Sequence, residues 1–66
     1  MNLRKSIMVA MAHHDIRQKE LAEKMGMSPA GITQLMSQTS CTAVMLERLA
    51  EVFDMKVSEF VALGED

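Results

Sequence analysis

Apolar residues recur along this chain at the three- and four-residue spacing of amphipathic helices. The first apolar stripe consists of Leu3, Ile7, Met8 and Met11. Asn2 precedes this stripe and belongs to the residue types that cap helix N-termini, because its side chain can accept a hydrogen bond from a first-turn amide. The pattern therefore predicts a first helix over residues 3–13, with the stripe facing the core.

Two short helices with a glycine between them are predicted in the next part of the chain. The second helix covers residues 18–25. Its inward side chains are Leu21, Ala22 and Met25. Gly26 follows at the place where a left-handed residue ends a helix, and glycine adopts that backbone at the least cost. Ser28 is predicted to cap a third helix over residues 29–36, because Pro29 suits the first helical position.

The two faces of the third helix differ in chemistry. The inner face carries Ile32, Leu35 and Met36. The opposite face carries Ala30, Thr33, Gln34 and Ser37. A face that only meets solvent more often carries Lys and Glu, whereas this one is small, uncharged and able to form hydrogen bonds. The pattern indicates a helix that contacts and reads another surface.

Two further helices complete an all-α pattern, since no stretch alternates in the manner of a strand. Thr42 or a near neighbour is predicted to cap the fourth helix. The buried stripe of that helix is predicted to be Met45, Leu46, Leu49, Ala50 and Phe53. The fifth helix covers residues 57–63, and Gly64 ends it. No linker or repeat interrupts this order, so we predict one domain over residues 1–66.

Length and composition restrict the class of protein. A chain of 66 residues holds one small core. No apolar run approaches the roughly 20 residues that span a bilayer. Cys41 is the single cysteine, so no intrachain disulfide forms, and we expect a cytoplasmic protein in a reducing compartment. The adjacent His13, His14 and Asp15 lack a further ligand cluster, so neither a metal nor another cofactor is predicted.

The charges are distributed unevenly around a net charge of −2. Residues 1–37 hold five Lys and Arg against three Asp and Glu, a net charge of +2. Residues 38–66 hold two against six, a net charge of −4. The positive half is suited to approach phosphate, while the acidic half stays in solvent or meets a partner. Two differently solvated faces without functional meaning are the alternative.

Residues 18–37 resemble the helix-turn-helix of the phage repressor and Cro type, in the XRE-like family of small DNA-binding domains. The matching residues, at the family's leucine, alanine, glycine and apolar positions, are Leu21, Ala22, Met25, Gly26, Met27, Ile32 and Leu35. The segment LERLAEVFDMKVSEF is similar to the family's fourth and fifth helices, so the likeness covers residues 3–63. The resemblance implies a compact five-helix, lambda-repressor-like fold in a prokaryotic or phage-type protein whose partner is double-stranded DNA.

The resemblance also implies which residues meet DNA, because in such proteins the third helix reads bases in the major groove. The implied base-reading residues are Ser28, Pro29, Ala30, Gly31, Thr33 and Gln34. Gln34 would pair with adenine, Ala30 and Thr33 would touch a thymine methyl group, and the Thr33 hydroxyl would also bond a base edge. The implied backbone contacts are Arg4, Lys5, Arg17, Gln18, Lys19, Ser37, Gln38 and Thr39. Among these, Gln18 matches the family's phosphate-contacting glutamine.

Two positions and one segment depart from the family's pattern. Arg17 replaces the usual Ser, Thr or Asn cap before the second helix. Asp54 stands where a glycine often ends the fourth helix, and Asp tolerates the left-handed region better than most residues. Residues 36–44 contain no Lys or Arg, although relatives commonly have several there. Because each neutralised phosphate contributes to affinity, we expect weak non-specific binding and a shallow dependence on salt. The apolar start of the reading helix leaves room for recognition of DNA shape.

These expectations lead to a regulator of transcription, a repressor that binds a short palindrome as a homodimer. The predicted dimer interface consists of Val57, Phe60, Val61 and Leu63. The alternative for these four residues is that they only close the core beneath the first helix. The alternative function is a protein-interaction module of the same fold, such as an antitoxin, with weak or lost DNA binding. An enzyme is least favoured, because no catalytic residue pattern is present.

Overall fold

Five α-helices follow one another in the computed structural model, which describes residues 2–38 and 41–65. The helices are α1 (Leu3–His14), α2 (Gln18–Met25), α3 (Pro29–Met36), α4 (Ala43–Val52) and α5 (Val57–Leu63). The described residues contain no strand, which confirms the all-α prediction. The predicted bounds of α2, α3 and α5 agree with the structure, whereas α1 extends one residue further than predicted.

Side chains before three of the helices cap them as predicted. The Asn2 side chain accepts a hydrogen bond from the Lys5 amide at 3.1 Å, and Ser28 Oγ accepts one from the Gly31 amide at the same distance. Thr42 Oγ1 accepts a hydrogen bond from the Met45 amide at 3.2 Å. Such bonds satisfy first-turn amides that have no partner within the helix, which is why these helices begin where they do.

Left-handed residues end the helices or turns at three places. Gly26, with φ of 68°, ends α2 as predicted, and Asp54, with φ of 53°, follows α4. Asp15, with φ of 52°, ends α1, and its amide bonds the carbonyls of Ala12 and Met11. The sequence placed that end at His13, because an aspartate is a weaker signal for a left-handed residue than a glycine.

One apolar cluster fills the space between the helices. Its buried residues are Leu3, Ile7, Ala10, Leu21, Ala22, Met25, Ile32, Leu35, Leu49, Ala50, Phe53 and Phe60. The rings of Phe53 and Phe60 are stacked with their centroids 6.1 Å apart, and these two residues are the largest fully buried side chains. α1 packs mainly on α5, and α2 packs on α3 and α4, so every helix faces this cluster.

Several predicted core positions lie nearer to solvent than expected. Met8 is 51% exposed, because it lies about 100° around α1 from the buried Ile7. Ser6 occupies the buried stripe of α1 instead. Met45 and Leu46 of α4 are half-buried and pack against the edge of the core. A strict three- and four-residue pattern therefore identified the inner face of α1 but assigned one methionine too many to it.

The junction between the N-terminus of α1 and the end of α5 is tightly packed. The Asn2 amide donates to the Gly64 carbonyl at 3.4 Å. A Cβ atom on Gly64 would lie 2.5 Å from the Asn2 carbonyl oxygen and would collide with Ser6 Oγ. Gly64 has an ordinary φ of −91°, so glycine is needed here for close approach and not for a left-handed backbone.

The predicted dimer residues on α5 differ in their exposure. Phe60 is 0% exposed and forms part of the core, so its side chain is not available to a second copy. This corrects its assignment to an interface and agrees with the alternative in which it closes the core beneath α1. Val57, Val61 and Leu63 are half-buried and keep some surface.

Candidate nucleic-acid interface

α2 and α3 are joined by a turn that hydrogen bonds hold at both of its ends. After Gly26, the Met27 amide donates to the Ala22 carbonyl at 2.8 Å, and Ser28 then caps α3. The inner faces of the two helices, with Leu21 and Ile32 among them, are buried in the same cluster. Two eight-residue helices, each too short to be stable alone, are therefore held at a fixed angle by packing.

The outer side of α3 presents five of the six predicted base-reading residues to solvent. These residues, hereafter the α3 face, are Ser28, Pro29, Ala30, Thr33 and Gln34. The sixth, Gly31, is half-buried, and a Cβ atom there would lie 3.2 Å from the end of the Met27 side chain. Gly31 lies beside Met27 and borders a surface groove together with Gln34, so its assignment to base reading stays a prediction. The 100° step of the helix turns position 31 away from positions 30 and 33, which are more exposed.

A hydrogen-bond network ties the start of α2 to the α3 face. Gln18 Nε2 donates to the Pro29 carbonyl oxygen at 3.0 Å and to Thr33 Oγ1 at 2.6 Å. The Thr33 hydroxyl donates to the same Pro29 carbonyl at 3.2 Å. The sequence had marked Gln18 and Thr33 as separate contacts to DNA, but it gave no sign that the two side chains bond each other.

A groove of about 390 Å³ separates α1 from the α3 face, and we call it the α1–α3 groove. Its walls include Arg4 and the exposed Met8 on one side, and Gln18, Thr33 and Ser37 on the other. The structure thus brings the predicted backbone contact Arg4 beside the helix-turn-helix. Ser37 Oγ donates to the Gln34 carbonyl at 2.6 Å, which holds that side chain against its own helix.

Four further predicted backbone contacts are among the residues that the structure describes. Arg17 and Lys19 are exposed at the start of α2, and the Arg17 side chain makes no capping hydrogen bond, as its departure from the family's cap had implied. Lys5 is half-buried on α1, and Gln38 is exposed after α3. Thr39 lies outside the described residues.

A second, shallower groove of about 580 Å³ lies on the other side of α3, and we call it the α3–α4 groove. Gln34 and Gln38 border it together with Met45 and Cys41. Burial raises the pKa of the Cys41 thiol, so the reactive thiolate form is disfavoured and the residue serves as a small packing group. The Gln34 amide has no side-chain hydrogen bond within the described residues and remains available to a ligand.

α2 and α3 are two short helices, and α3 exposes an uncharged face. A comparison of the chain with known families agrees with this geometry. The family described as Cro/C1-type HTH DNA-binding domain matches residues 6–66. The chain belongs to this family. Neither the curated proteins nor the solved structures gave a match. The resemblance expected from the sequence is confirmed, and with it the lambda-repressor-like fold.

A Cro/C1-type domain binds double-stranded DNA and belongs to the regulators of transcription, a class that is typically non-enzymatic. Within the ranges 2–38 and 41–65, no three His, Cys, Asp or Glu side chains cluster in a way that would hold a metal ion. The ring of His14 packs beside the ring of Phe53, with the two ring centroids 5.8 Å apart. Among the described helices, none has the length and apolar character needed to cross a membrane.

A further structural contact of this Cro/C1-type domain was also not predicted from sequence. Arg48 Nη2, on α4, donates to the carbonyl of Met25 at 2.9 Å, the last residue of α2. A cation at a helix C-terminus satisfies an unpaired carbonyl and interacts favourably with the helix dipole. Because 23 residues separate the two partners, no local sequence signal could have indicated this contact.

Proposed function

We propose that this protein is a sequence-specific regulator of transcription, acting as a repressor that binds a short palindromic operator as a homodimer. The observation that carries the proposal is the exposed and uncharged α3 face, which Gln18 ties to α2. A helix held in this way fits the major groove, whose width admits one α-helix. We take residues 1–66 as one DNA-binding domain that acts on prokaryotic or phage DNA in the cytoplasm.

Gln34 is the residue of the α3 face best suited to direct base reading. Its amide offers one acceptor and two donor hydrogens, and no other described side chain engages it. Adenine presents an acceptor and a donor side by side in the major groove, which matches a glutamine amide. Ser28 is a second reader, because its oxygen accepts the Gly31 amide while its hydroxyl hydrogen stays free to donate.

Arg4, Arg17 and Lys19 are the proposed phosphate contacts. Arg17 and Lys19 lie at the start of α2, where unpaired amides already favour an anion, and Arg4 borders the α1–α3 groove. Lys5, Gln18, Ser37, Gln38 and Thr39 complete the proposed backbone set. The bare loop after α3 gives fewer cations than usual, so low salt favours detection of binding.

The first test is selection of binding sites from random duplex DNA at low salt with the purified chain. We expect enrichment of a palindrome whose half-sites lie about one helical turn, roughly 34–36 Å, apart. Gln34→Ala should then lower operator affinity about 5- to 150-fold and relax the preference for adenine at one position per half-site. Ser58→Ala, on the exposed side of α5, is the control and should leave both unchanged. Unaltered base preference in Gln34→Ala would refute this reading mode.

A second candidate function is binding of a protein partner, and one surface favours it. The groove between α4 and α5, hereafter the α4–α5 groove, is bordered by four acidic residues and one lysine. These are Glu47, Glu51, Asp54, Glu59 and Lys56. A basic segment of a partner would complement this charge. Failure to enrich any DNA sequence with a folded sample would favour this function over the first.

A further inference from the structure

The α1–α3 groove combines three methionines with a single cation. The methionines are Met8, Met11 and Met36. Met8 is 51% exposed, and among the described residues Val44 is the only other large apolar side chain that is exposed. Thioether side chains are flexible and polarizable, so they adapt to apolar groups of different shape. Covering this apolar surface with an apolar ligand would remove it from water, which is favourable.

Arg4 is the cation of this groove. Its side chain is exposed, and it forms no ion pair with another residue that the structure describes. No Asp or Glu lines the groove, and residues 1–14 contain none. A bound anion would therefore meet an available guanidinium without repulsion from a neighbouring carboxylate. Because a guanidinium holds its N–H donors in a planar fork, it can pair with a carboxylate through two parallel hydrogen bonds.

The uncharged polar side chains of the groove have few donors left for a ligand. Gln18 Nε2 donates to the Pro29 carbonyl and to Thr33 Oγ1, so both of its N–H groups are engaged. The hydroxyls of Thr33 and Ser37 each donate to a main-chain carbonyl. A ligand rich in hydroxyl groups, such as a sugar, would gain few hydrogen bonds here. The groove instead fits a ligand with one anionic group and an apolar body.

We propose that the α1–α3 groove binds a medium-chain fatty acid, whose carboxylate pairs with Arg4 while its alkyl chain lies on Met8, Met11 and Met36. The volume of about 390 Å³ falls within the range of small-molecule sites. Resting on the function proposed above, the fatty acid acts as an inducer, because it occupies a guanidinium that is proposed to contact phosphate. By linkage, DNA weakens binding of the fatty acid by the same factor.

Decanoate is the probe, and the methionine methyl groups of the whole chain report where it binds. With these groups isotopically labelled, we expect saturable NMR shifts of Met8, Met11 and Met36, with a Kd of about 1 mM. Met27 and Met45 line the α3–α4 groove, so their signals should not move. Absence of shifts would overturn the assignment, as would detergent-like shifts of all methionines together. Shifts caused by raising the protein concentration alone would place a second copy in the groove and overturn the fatty acid.

Two related probes separate the carboxylate from the alkyl chain. Butyrate keeps the carboxylate but has a much shorter chain, so we expect its Kd to be at least about ten-fold higher than that of decanoate. Decylammonium keeps the chain and reverses the charge, and we expect it to bind about five-fold more weakly than decanoate because Arg4 repels it. Equal affinities of decanoate and decylammonium would overturn the pairing with Arg4.

Two variants test the residues of the groove. Arg4→Gln removes the charge, and we expect the Kd of decanoate to rise about three- to five-fold, as for loss of an exposed ion pair. Lys24→Gln makes the same change of charge on α2, outside the groove, and is the control that should keep the Kd. Met8→Gln replaces an apolar side chain with a polar one of similar length and should raise the Kd about three-fold. An unchanged Kd in Arg4→Gln and Met8→Gln would overturn the site.

The role as an inducer is measured on the operator obtained by selection. Saturating decanoate should raise the Kd for this operator about five-fold, whereas butyrate at the same concentration should leave it unchanged. Binding of decanoate without an effect on the operator would overturn the regulatory role alone. Failure to select any operator would overturn the proposed function, whereas the binding site is tested by the NMR shifts without DNA.

Discussion

Ser6 and Gly64 are in contact at a tightly packed place in this small core. The Ser6 hydroxyl is fully buried and has no hydrogen-bond partner among the described residues. A buried, unpaired hydroxyl costs about 1–3 kcal/mol of stability relative to a solvated one. The hydroxyl lies against Gly64, where no room remains for even one carbon atom. The chain therefore tolerates a polar atom in its core at the place where its two ends meet.

Gly64→Ala is expected to destabilise the fold by about 1–3 kcal/mol, because the new methyl group would overlap the Asn2 carbonyl and the Ser6 hydroxyl. Urea unfolding followed by circular dichroism measures this loss. The matched control is Gly31→Ala, where the nearest atom is the flexible end of Met27 and helix propensity favours alanine. Gly31→Ala should be neutral or stabilising. Equal losses in both variants would contradict the role assigned to the close approach at Gly64.

At the scale of the helices, the sequence predicted most where its signals are local. The bounds of α2 and α3 followed from Gly26, Ser28 and Pro29, because a left-handed residue, a cap and a proline each act within a few positions. The end of α1 was wrong by one residue, since Asp15 carries a weaker signal for the same conformation. Local chemistry thus specified the turn of the helix-turn-helix almost completely.

The candidate site was less predictable than the helices that carry it. Exposure of the α3 face followed from the helical period. The bonds from Gln18 to α3 depend on the rotamers and on how α2 and α3 cross. Neither quantity can be obtained from spacing along the chain, so the polarity of the α3 face had been overestimated.

The contact from Arg48 to the end of α2 predicts a second stability effect. Arg48→Met should lower the free energy of unfolding by about 1–2 kcal/mol, because the Met25 carbonyl loses a charged donor at a helix C-terminus. Thermal melting by circular dichroism measures the change. Glu47→Met, at the neighbouring exposed position of α4, is the control and should change stability by less than about 0.5 kcal/mol. A loss in the control as large as that in Arg48→Met would contradict the capping role.

At the scale of the whole molecule, the charge is divided between two ends of the chain. The positive first half contains Arg4, Arg17 and Lys19 around the α3 face, while the acidic second half surrounds the α4–α5 groove. Added salt should therefore have opposite effects on the affinity for DNA and on the affinity between the two copies of a homodimer. DNA binding weakens with salt because phosphate contacts release counterions. Pairing of two acidic α5 surfaces strengthens with salt, because screening reduces their mutual repulsion.

The expected effect of salt can be measured on the proposed homodimer. With Phe60 buried, the interface consists of the remaining surface of Val57, Val61 and Leu63. We expect sedimentation equilibrium to show a dimer that is several-fold tighter at about 0.5 M than at about 0.05 M salt, since the Debye length falls about three-fold over this range.

Val61→Ser tests whether this surface is the interface, because it replaces an apolar side chain on α5 with a small polar one. The variant should be monomeric while keeping its helical circular dichroism and a cooperative melt. Val44→Ser makes the same substitution on α4, where the valine is 66% exposed and distant in sequence from α5, and it should leave the dimer intact. If the parent chain stays monomeric at every concentration and salt level, self-association is refuted, and pairing would have to be induced by the two half-sites of an operator.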